Sequence, residues 1–470
     1  EILRQNGYVT GCFGKWHNGA HFPYDPAGQG FDEFYGFCAG HLNNYFDSPL
    51  QHNNKEIEST GYITDFLTDK AIEFIKKHQR HPFFCYVPFN LPHSPFQVPD
   101  AYFDKFKAIG LDDESACVYG MCENLDDHIG RILDCLDECA LTENTLVIFI
   151  SDNGPNTARY NGGMRGIKSS PHEGGTRVPC FLRLPGTLAA GKVITPIAAH
   201  IDILPTLIDL LHLQHSSLLP WDGISLVPLL FDDPAPWPKR KIFGHWPPYG
   251  TVRTDRHRLI IAPDHLELYD MIQDPTETSD IAVQETHVCR ELLEAYDEWW
   301  ESVTANEFDP LPIPIGIKHH PEVILPAHEA FLHPDPGIGI RYWGAAGWAN
   351  DWITDWTSTD SYPQWLVQVV QDGEYQMAID YGCNAENIGV QLTIEVSGQR
   401  LHCNINAPFD PPQKPSPDRV LRKEAYEKLW QRIELGSLRL NRGVTDLRLR
   451  AVAIPGPAAI DLKAVVIRKK

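Results

Sequence analysis

Positive charge is scarce in this chain. Of 470 residues, 40 are Lys or Arg against 62 Asp or Glu, a formal net charge of −22. Nucleic acid and anionic membrane surfaces normally require a basic footprint, so this balance argues against either as a partner. Long hydrophobic runs are also missing. The longest apolar stretch, Val193 to Leu213, is interrupted by Pro196, His200, Asp202 and Pro205. It reads as a buried strand, loop and helix, and no transmembrane span is expected. The eleven cysteines follow neither metal-finger nor disulfide-framework spacing. Cys117 and Cys122, like Cys135 and Cys139, lie close on one predicted helix, where packing is expected rather than bridging. The first residue is neither an initiator methionine nor part of a signal peptide: Glu1 stands in mid-helix pattern. What is present is globular, 43% hydrophobic and 22% charged, and the length suggests two or three domains.

The most informative segment is Ser151-Asp152-Asn153-Gly154-Pro155, followed by Gly166-Ile167-Lys168 and His172-Glu173-Gly174-Gly175-Thr176-Arg177. It leaves an unbroken apolar run, Thr145 to Ile150, expected as a strand buried on both faces. In open α/β sheets, ligands collect beyond the carboxyl ends of such strands. Adjacent carboxylate and carboxamide oxygens there suit a hard divalent cation. Taken alone, Asp152-Asn153-Gly154 also reads as a tight turn. Two further strand exits carry chemistry: Gly14-Lys15-Trp16-His17 near the start, and Pro82 to Asn90 running into Leu91-Pro92-His93-Ser94-Pro95. Rigid sheets with Gly/Pro-rich loops are where binding and catalytic groups concentrate.

In this order, and with Asp202-Ile203-Leu204-Pro205-Thr206-Leu207 and Glu267-Leu268-Tyr269-Asp270 further on, these motifs resemble the type I sulfatases of the alkaline-phosphatase-like superfamily. The resemblance runs from residue 1 to about residue 285. The family's Cys/Ser-x-Pro-x-Arg pentapeptide and its upstream Asp-Asp pair are absent. Both are expected in an N-terminal segment preceding Glu1, together with the formylglycine nucleophile, so the 470 residues alone are expected to lack turnover. The resemblance implies an α/β fold: an alkaline-phosphatase-like mixed sheet flanked by helices, a small α+β C-terminal subdomain, and an appended all-β sandwich. It implies a sulfuric ester hydrolase cleaving sulfated carbohydrates or aryl sulfates, in the periplasm or outside the cell. Asp152 and Asn153 would be ligands of Ca²⁺. Lys15 and Lys168 would hold sulfate oxygens, His17 would support the nucleophile, and His93 would protonate the leaving oxygen. Arg165, His172 and His245 are candidates for substrate contacts, whereas Arg177 reads as structural. All six principal residues are expected around one pocket, a local positive site in a negative body. The alternatives are a phosphodiester or phosphonate monoester hydrolase of the same superfamily, or a non-catalytic carbohydrate-binding protein.

Along the chain, helices are expected over 64–78, 115–139 and 291–303. The catalytic domain is placed at 1–235, its C-terminal subdomain at 236–304 with antiparallel strands, a proline-rich linker at 305–338, and a β-sandwich at 339–470. His319, His320, His328 and His333 in the linker are expected to be solvent-exposed. Asp372-Gly373 predicts a hairpin between strands 365–370 and 374–381. The sandwich resembles galactose-binding-like carbohydrate-binding modules, and as a separate module it is expected to be dispensable for a small substrate.

Overall fold

The computed structural model describes the chain apart from residues 158, 217–218, 232–236, 306–308, 335–337 and 345–347. It forms two compact units. One comprises Glu1, Leu3–Cys135 and Pro310–Lys470, the other Ile2 and Leu136–Asp309. This division differs from the boundaries expected from composition. The expected boundary at 235/236 and Pro336 of the expected linker lie outside the described residues.

In the first unit, β1 (Val9–Lys15), β2 (Glu33–Phe37), β3 (Pro49–His52), β4 (Lys55–Glu58) and β5 (Phe83–Tyr86) form a five-stranded sheet in the order β4-β3-β2-β1-β5. β1 pairs parallel with both β2 and β5, so the chain leaves all three strands on one edge. Its small residues and Phe13 suit a strand covered on both faces. Phe13 packs on Phe74 at 5.3 Å between ring centroids, and Cys12 clusters with Trp16, Phe34 and Cys38. Phe74 belongs to the helix Ile63–His78, whose buried stripe Ile63, Leu67, Ala71, Phe74 and Ile75 follows helical spacing.

In the second unit, β6 (Val147–Ile150) pairs antiparallel with β7 (Cys180–Arg183). β6 is half-buried along its length, not buried on both faces as its apolar run predicts. Among the described residues its sheet has two strands only, so each strand lies at an edge. The second sheet is antiparallel, as expected: β8 (Ile242–Trp246), β9 (Tyr249–Arg253), β10 (His257–Ile261) and β11 (Leu266–Asp270). It packs through Val252, Leu259 and Leu268 on Cys289, Leu292 and Tyr296 of the helix Thr286–Thr304. The long helix expected at 115–139 spans Asp113–Glu138, its residues up to Cys135 belonging to the first unit, with Asp126, Asp127 and Asp134 exposed.

The remaining strands belong to the first unit: β12 (Ile313–Ile315), β13 (Glu322–Pro326), β14 (Phe331–His333), β15 (Arg341–Tyr342), β16 (Ile353–Thr354), β17 (Tyr362–Val369), β18 (Gly373–Gly382), β19 (Gln391–Val396), β20 (Gln399–Asn404), β21 (Gln431–Leu440), β22 (Gly443–Ala453) and β23 (Asp461–Lys469). They make two six-stranded sheets. One runs β12-β17-β22-β19-β20 with β14 on β17, the other β15-β16-β23-β18-β21 with β13 on β23. Between them lies one continuous core that includes fully buried Trp356 and Trp365.

Two expectations are corrected here. The segment 305–338 is not a linker, because β12, β13 and β14 within it are strands of the sandwich. Its prolines are accommodated where the ladder needs no N–H: Pro314 lies on the edge strand β12 and Pro326 ends β13. His320, His328 and His333 are accordingly part-buried, and only His319 is exposed. Burial brings the His328 imidazole down to about 4, more than neighbouring Glu329 raises it. Nor does Asp372-Gly373 close a hairpin. β17 pairs with β12, β14 and β22, whereas β18 pairs with β21 and β23. The turn carries the chain from one sheet to the other, so the alternating apolar residues of both strands face the same core.

Candidate active site

The edge where β1, β2 and β5 end carries the first group of site residues. Lys15 is the last residue of β1. Its amide donates to Pro88 O (2.8 Å), and the next, from Trp16, to Phe37 O (2.9 Å). The end of β1 is thereby clamped between the exits of its two neighbours. His17 follows and lies against Gly40, on the loop after β2. That glycine has φ +74°, and a Cβ there would lie 2.1 Å from His17 Cδ2. Gly40→Ala is therefore expected to displace the His17 ring, lowering turnover while the circular dichroism spectrum stays unchanged. Unaltered kinetics would show that His17 has room to move.

His93 lies beyond β5. Its Nδ1 is 2.8 Å from Ser94 O, and since a carbonyl only accepts, Nδ1 carries the proton of that bond. Tyr45 holds the same turn from beneath, its hydroxyl donating to Ser94 O (2.7 Å) and His93 O (3.1 Å). Burial raises the Tyr45 phenol far above its ordinary value, so it remains a donor. The His93 ring meets His41, a residue with no sequence-assigned role, at 5.4 Å between centroids. Burial drives the His41 imidazole down to about 4. Glu424 opposes this shift, and His93, Lys15 and Arg422 add to it. The sequence signal for His41 was its place in the Gly40-His41-Leu42-Asn43-Asn44 segment. Glu424 gave none, since it lies 330 residues after its partner Ser94.

The second unit holds the other group. Ser151, Asp152 and Asn153 leave β6, with Asp152 exposed and Asn153 half-buried. Gly154 is fitted against the turn at 174–175. Its amide donates to Gly175 O (3.0 Å), and a Cβ would sit 1.9 Å from Gly174 O. The Lys168 amide donates to Pro155 O (2.8 Å) and the Gly174 amide to Arg165 O (2.7 Å). These contacts bring Asp152, Asn153 and Lys168 onto one loop assembly. His172 N-caps the short helix Glu173–Thr176, and its Nδ1 lies 3.2 Å from Glu277 Oε2. Beneath it, buried Arg258 bridges Glu173 and Glu277, 3.2 Å from the latter. Burial pushes the Glu173 carboxyl up, but Arg258 and Arg253 together hold it below its ordinary value.

Two candidates for substrate contact are engaged elsewhere. Arg165 is tied to Glu267 (3.0 Å) and to the Tyr269 hydroxyl. His245 Nδ1 is 2.6 Å from the Tyr296 hydroxyl, and its ring stacks on Trp300 at 4.0 Å. Its contacts therefore go to the helix behind β8. Arg177, read as structural, is an exposed partner of Glu173 at 3.6 Å. Burial pushes the Cys38 thiol up to about 12 and Cys12 well above its usual value, as befits packing residues. Among the described residues, no cluster of three or more His, Cys, Asp or Glu has the geometry to hold a metal ion. Asp152 and Asn153 still fit a hard cation, as two oxygen donors on consecutive residues.

Residues 1–213 match the family model described as Sulfatase, and residues 168–299 the model for the C-terminal part of N-sulphoglucosamine sulphohydrolase. Residues 1–299 are thus similar to sulfatases over two overlapping family models. Its relatives include the uncharacterized sulfatase YdeN of Escherichia coli K12, 31% identical over 283 residues, covering 52% of this chain and 50% of YdeN. Human N-acetylgalactosamine-6-sulfatase is 30% identical over 256 residues, 49% of this chain and 47% of that enzyme. The chain thus spans about half the length of these curated relatives. Among solved structures it resembles that of Ps i-CgsB in complex with k-i-k-neocarrahexaose, with TM-score 0.60 and 28% identity, covering 63% of this chain and 72% of that one. No helix of the described residues is long and apolar enough to cross a membrane.

Proposed function

We propose that this protein hydrolyses sulfate monoesters of carbohydrates. The observation that carries this reading is the shared strand edge at which Lys15, His17 and His93 leave parallel β1 and β5, in a chain similar to sulfatases. The substrate class is supported by relatives whose names or bound ligand are carbohydrate. Periplasmic or extracellular residence accords with it.

A sulfate ester needs its non-bridging oxygens neutralised and its leaving oxygen protonated. Lys15 and Lys168 would supply the first, each a compact point charge with rotatable donors. His93 would supply the second from Nε2 as the imidazolium, because Nδ1 is anchored to Ser94 O and a histidine within reach of the leaving oxygen can act as general acid. His17, held on Gly40, would orient the nucleophile, expected as formylglycine. Asp152 and Asn153 would hold Ca²⁺, giving two of the about six to eight oxygens such an ion takes. Bound there, the ion would neutralise charge developing on the sulfate group.

The test is release of inorganic sulfate by the intact protein from an aryl sulfate and from sulfated oligosaccharides, set against a phosphodiester and a phosphonate monoester. Sulfate release that is lost on chelation and restored by Ca²⁺ is expected. Preference for the phosphorus esters would overturn the reading in favour of the other hydrolase class. Binding of sulfated sugar without turnover would leave a carbohydrate-binding protein.

A further inference from the structure

The sandwich reaches into the first group of site residues. Glu424, on the segment between β20 and β21, is only 5% exposed. Its Oε1 accepts from the Ser94 hydroxyl and its Oε2 from the Lys423 amide at 3.1 Å. Arg422 beside it, its side chain 1% exposed, pairs with Asp418 (2.6 Å) and donates to the carbonyl of Asn43. Gln97 Nε2 donates to Asp418 Oδ1 (2.7 Å). Asn350 Nδ2 donates to the carbonyl of His41 itself (2.8 Å). The loops carrying His41 and His93 are thus both fastened by residues of the sandwich, and the charged groups doing so are buried. A detachable accessory module would instead meet its neighbour through solvated surface.

We propose, on the sulfate-ester reading above, that Glu424 is a positioning residue of the active site. Through Ser94 it fixes the turn that carries His93, and by its charge it sets the field at His41. The sandwich is then a wall of the site, and the expectation that it is dispensable for a small substrate does not hold. Burial pushes the Glu424 carboxyl up, but the Ser94 hydroxyl, its backbone donors and His41 together bring it below its ordinary value. His41 faces Glu424, His93, Lys15 and Arg422. At neutral pH the arrangement is therefore an ionised Glu424 beside a neutral His41.

The test uses the intact protein with an aryl sulfate, a substrate too small to need a carbohydrate-binding module. Glu424→Gln is expected to lower kcat about 10-fold, part of what general acid–base catalysis contributes, with KM changed less than twofold. Removing a negative charge stabilises the neutral histidines, so the alkaline limb of the kcat profile should move to lower pH. Glu424→Asp should restore much of the rate and the limb. Ser94→Ala should lower kcat similarly, and the double variant should fall little further than either single one, as for residues acting through one contact. Lys414→Ala, which removes a sandwich contact with Glu58 remote from the histidines, should change nothing. A pH-independent fall, or additive losses, would overturn the proposal. Should the wild type hydrolyse no sulfate ester, the functional reading fails by itself, and NMR titration of His41 decides this one. In Glu424→Gln, His41 must stay neutral to a lower pH than in the wild type. An unchanged midpoint would refute the coupling.

Discussion

In the intact protein, Lys168→Ala is expected to lower sulfate ester turnover by roughly 10²-fold or more, the usual consequence of removing a fixed donor to developing charge. The fold should survive. What the structure uses of Lys168 is its backbone, whose amide donates to Pro155 O at 2.8 Å, and alanine keeps that bond. KM should change less than kcat if the ammonium meets charge that grows in the transition state. Lys168→Arg should not rescue fully, because a planar fork cannot replace a compact ammonium on a short loop. Steady-state kinetics on an aryl sulfate decide this. A loss below about fivefold would remove Lys168 from the proposed machinery.

The largest stability effect is expected at Arg258, which no sequence motif marked. Arg258 is 4% exposed and lies between Glu173 and Glu277, exposed 4% and 2%. It also donates to Pro171 O at 2.7 Å. Arg258→Ala leaves two buried carboxylates with Arg253, His172 and the exposed Arg177 as their remaining ionic partners. Breaking a buried pair from one side costs about 3–5 kcal/mol. Arg177→Ala, which removes an exposed partner of the same Glu173 at 3.6 Å, should cost well under about 1 kcal/mol. Because the folded-state pKa of Glu173 lies below its unfolded value, its contribution is present above the ordinary glutamate range. It is lost as pH falls through the folded value. The wild type should therefore lose stability on acidification more steeply than Arg258→Ala. Urea unfolding at neutral and acid pH measures both effects, and equal midpoints for wild type and variant at neutral pH would refute the bridge.

Strand exits bearing Lys15, His17 and His93, and the loop bearing Asp152, Asn153 and Lys168, were legible because they rest on local signals. Apolar runs, glycines at tight contacts and short polar motifs are properties of neighbours along the chain. The helices at 63–78 and 113–138 and the antiparallel β8–β11 sheet were readable for the same reason, their periodicity being written in consecutive residues. Composition misled where proline was taken as a breaker. Pro314 and Pro326 lie in strands, since an edge position removes the need for the N–H that proline lacks. Asp372-Gly373 misled in another way, because a turn signal says that the chain reverses, not which sheet receives it.

The sequence by itself determined the likeness to sulfatases, the elements that carry the six principal candidate residues, and the polar groups at their ends. Only the tertiary structure decided that His41 meets His93, that Arg258 bridges Glu173 and Glu277, and that Glu424 meets Ser94 across 330 residues of chain. The physical reason is that these contacts depend on the paths taken by well-separated segments. Burial selects partners for a charge by proximity in space, and nothing in the local pattern around Glu424 records which loop it will face.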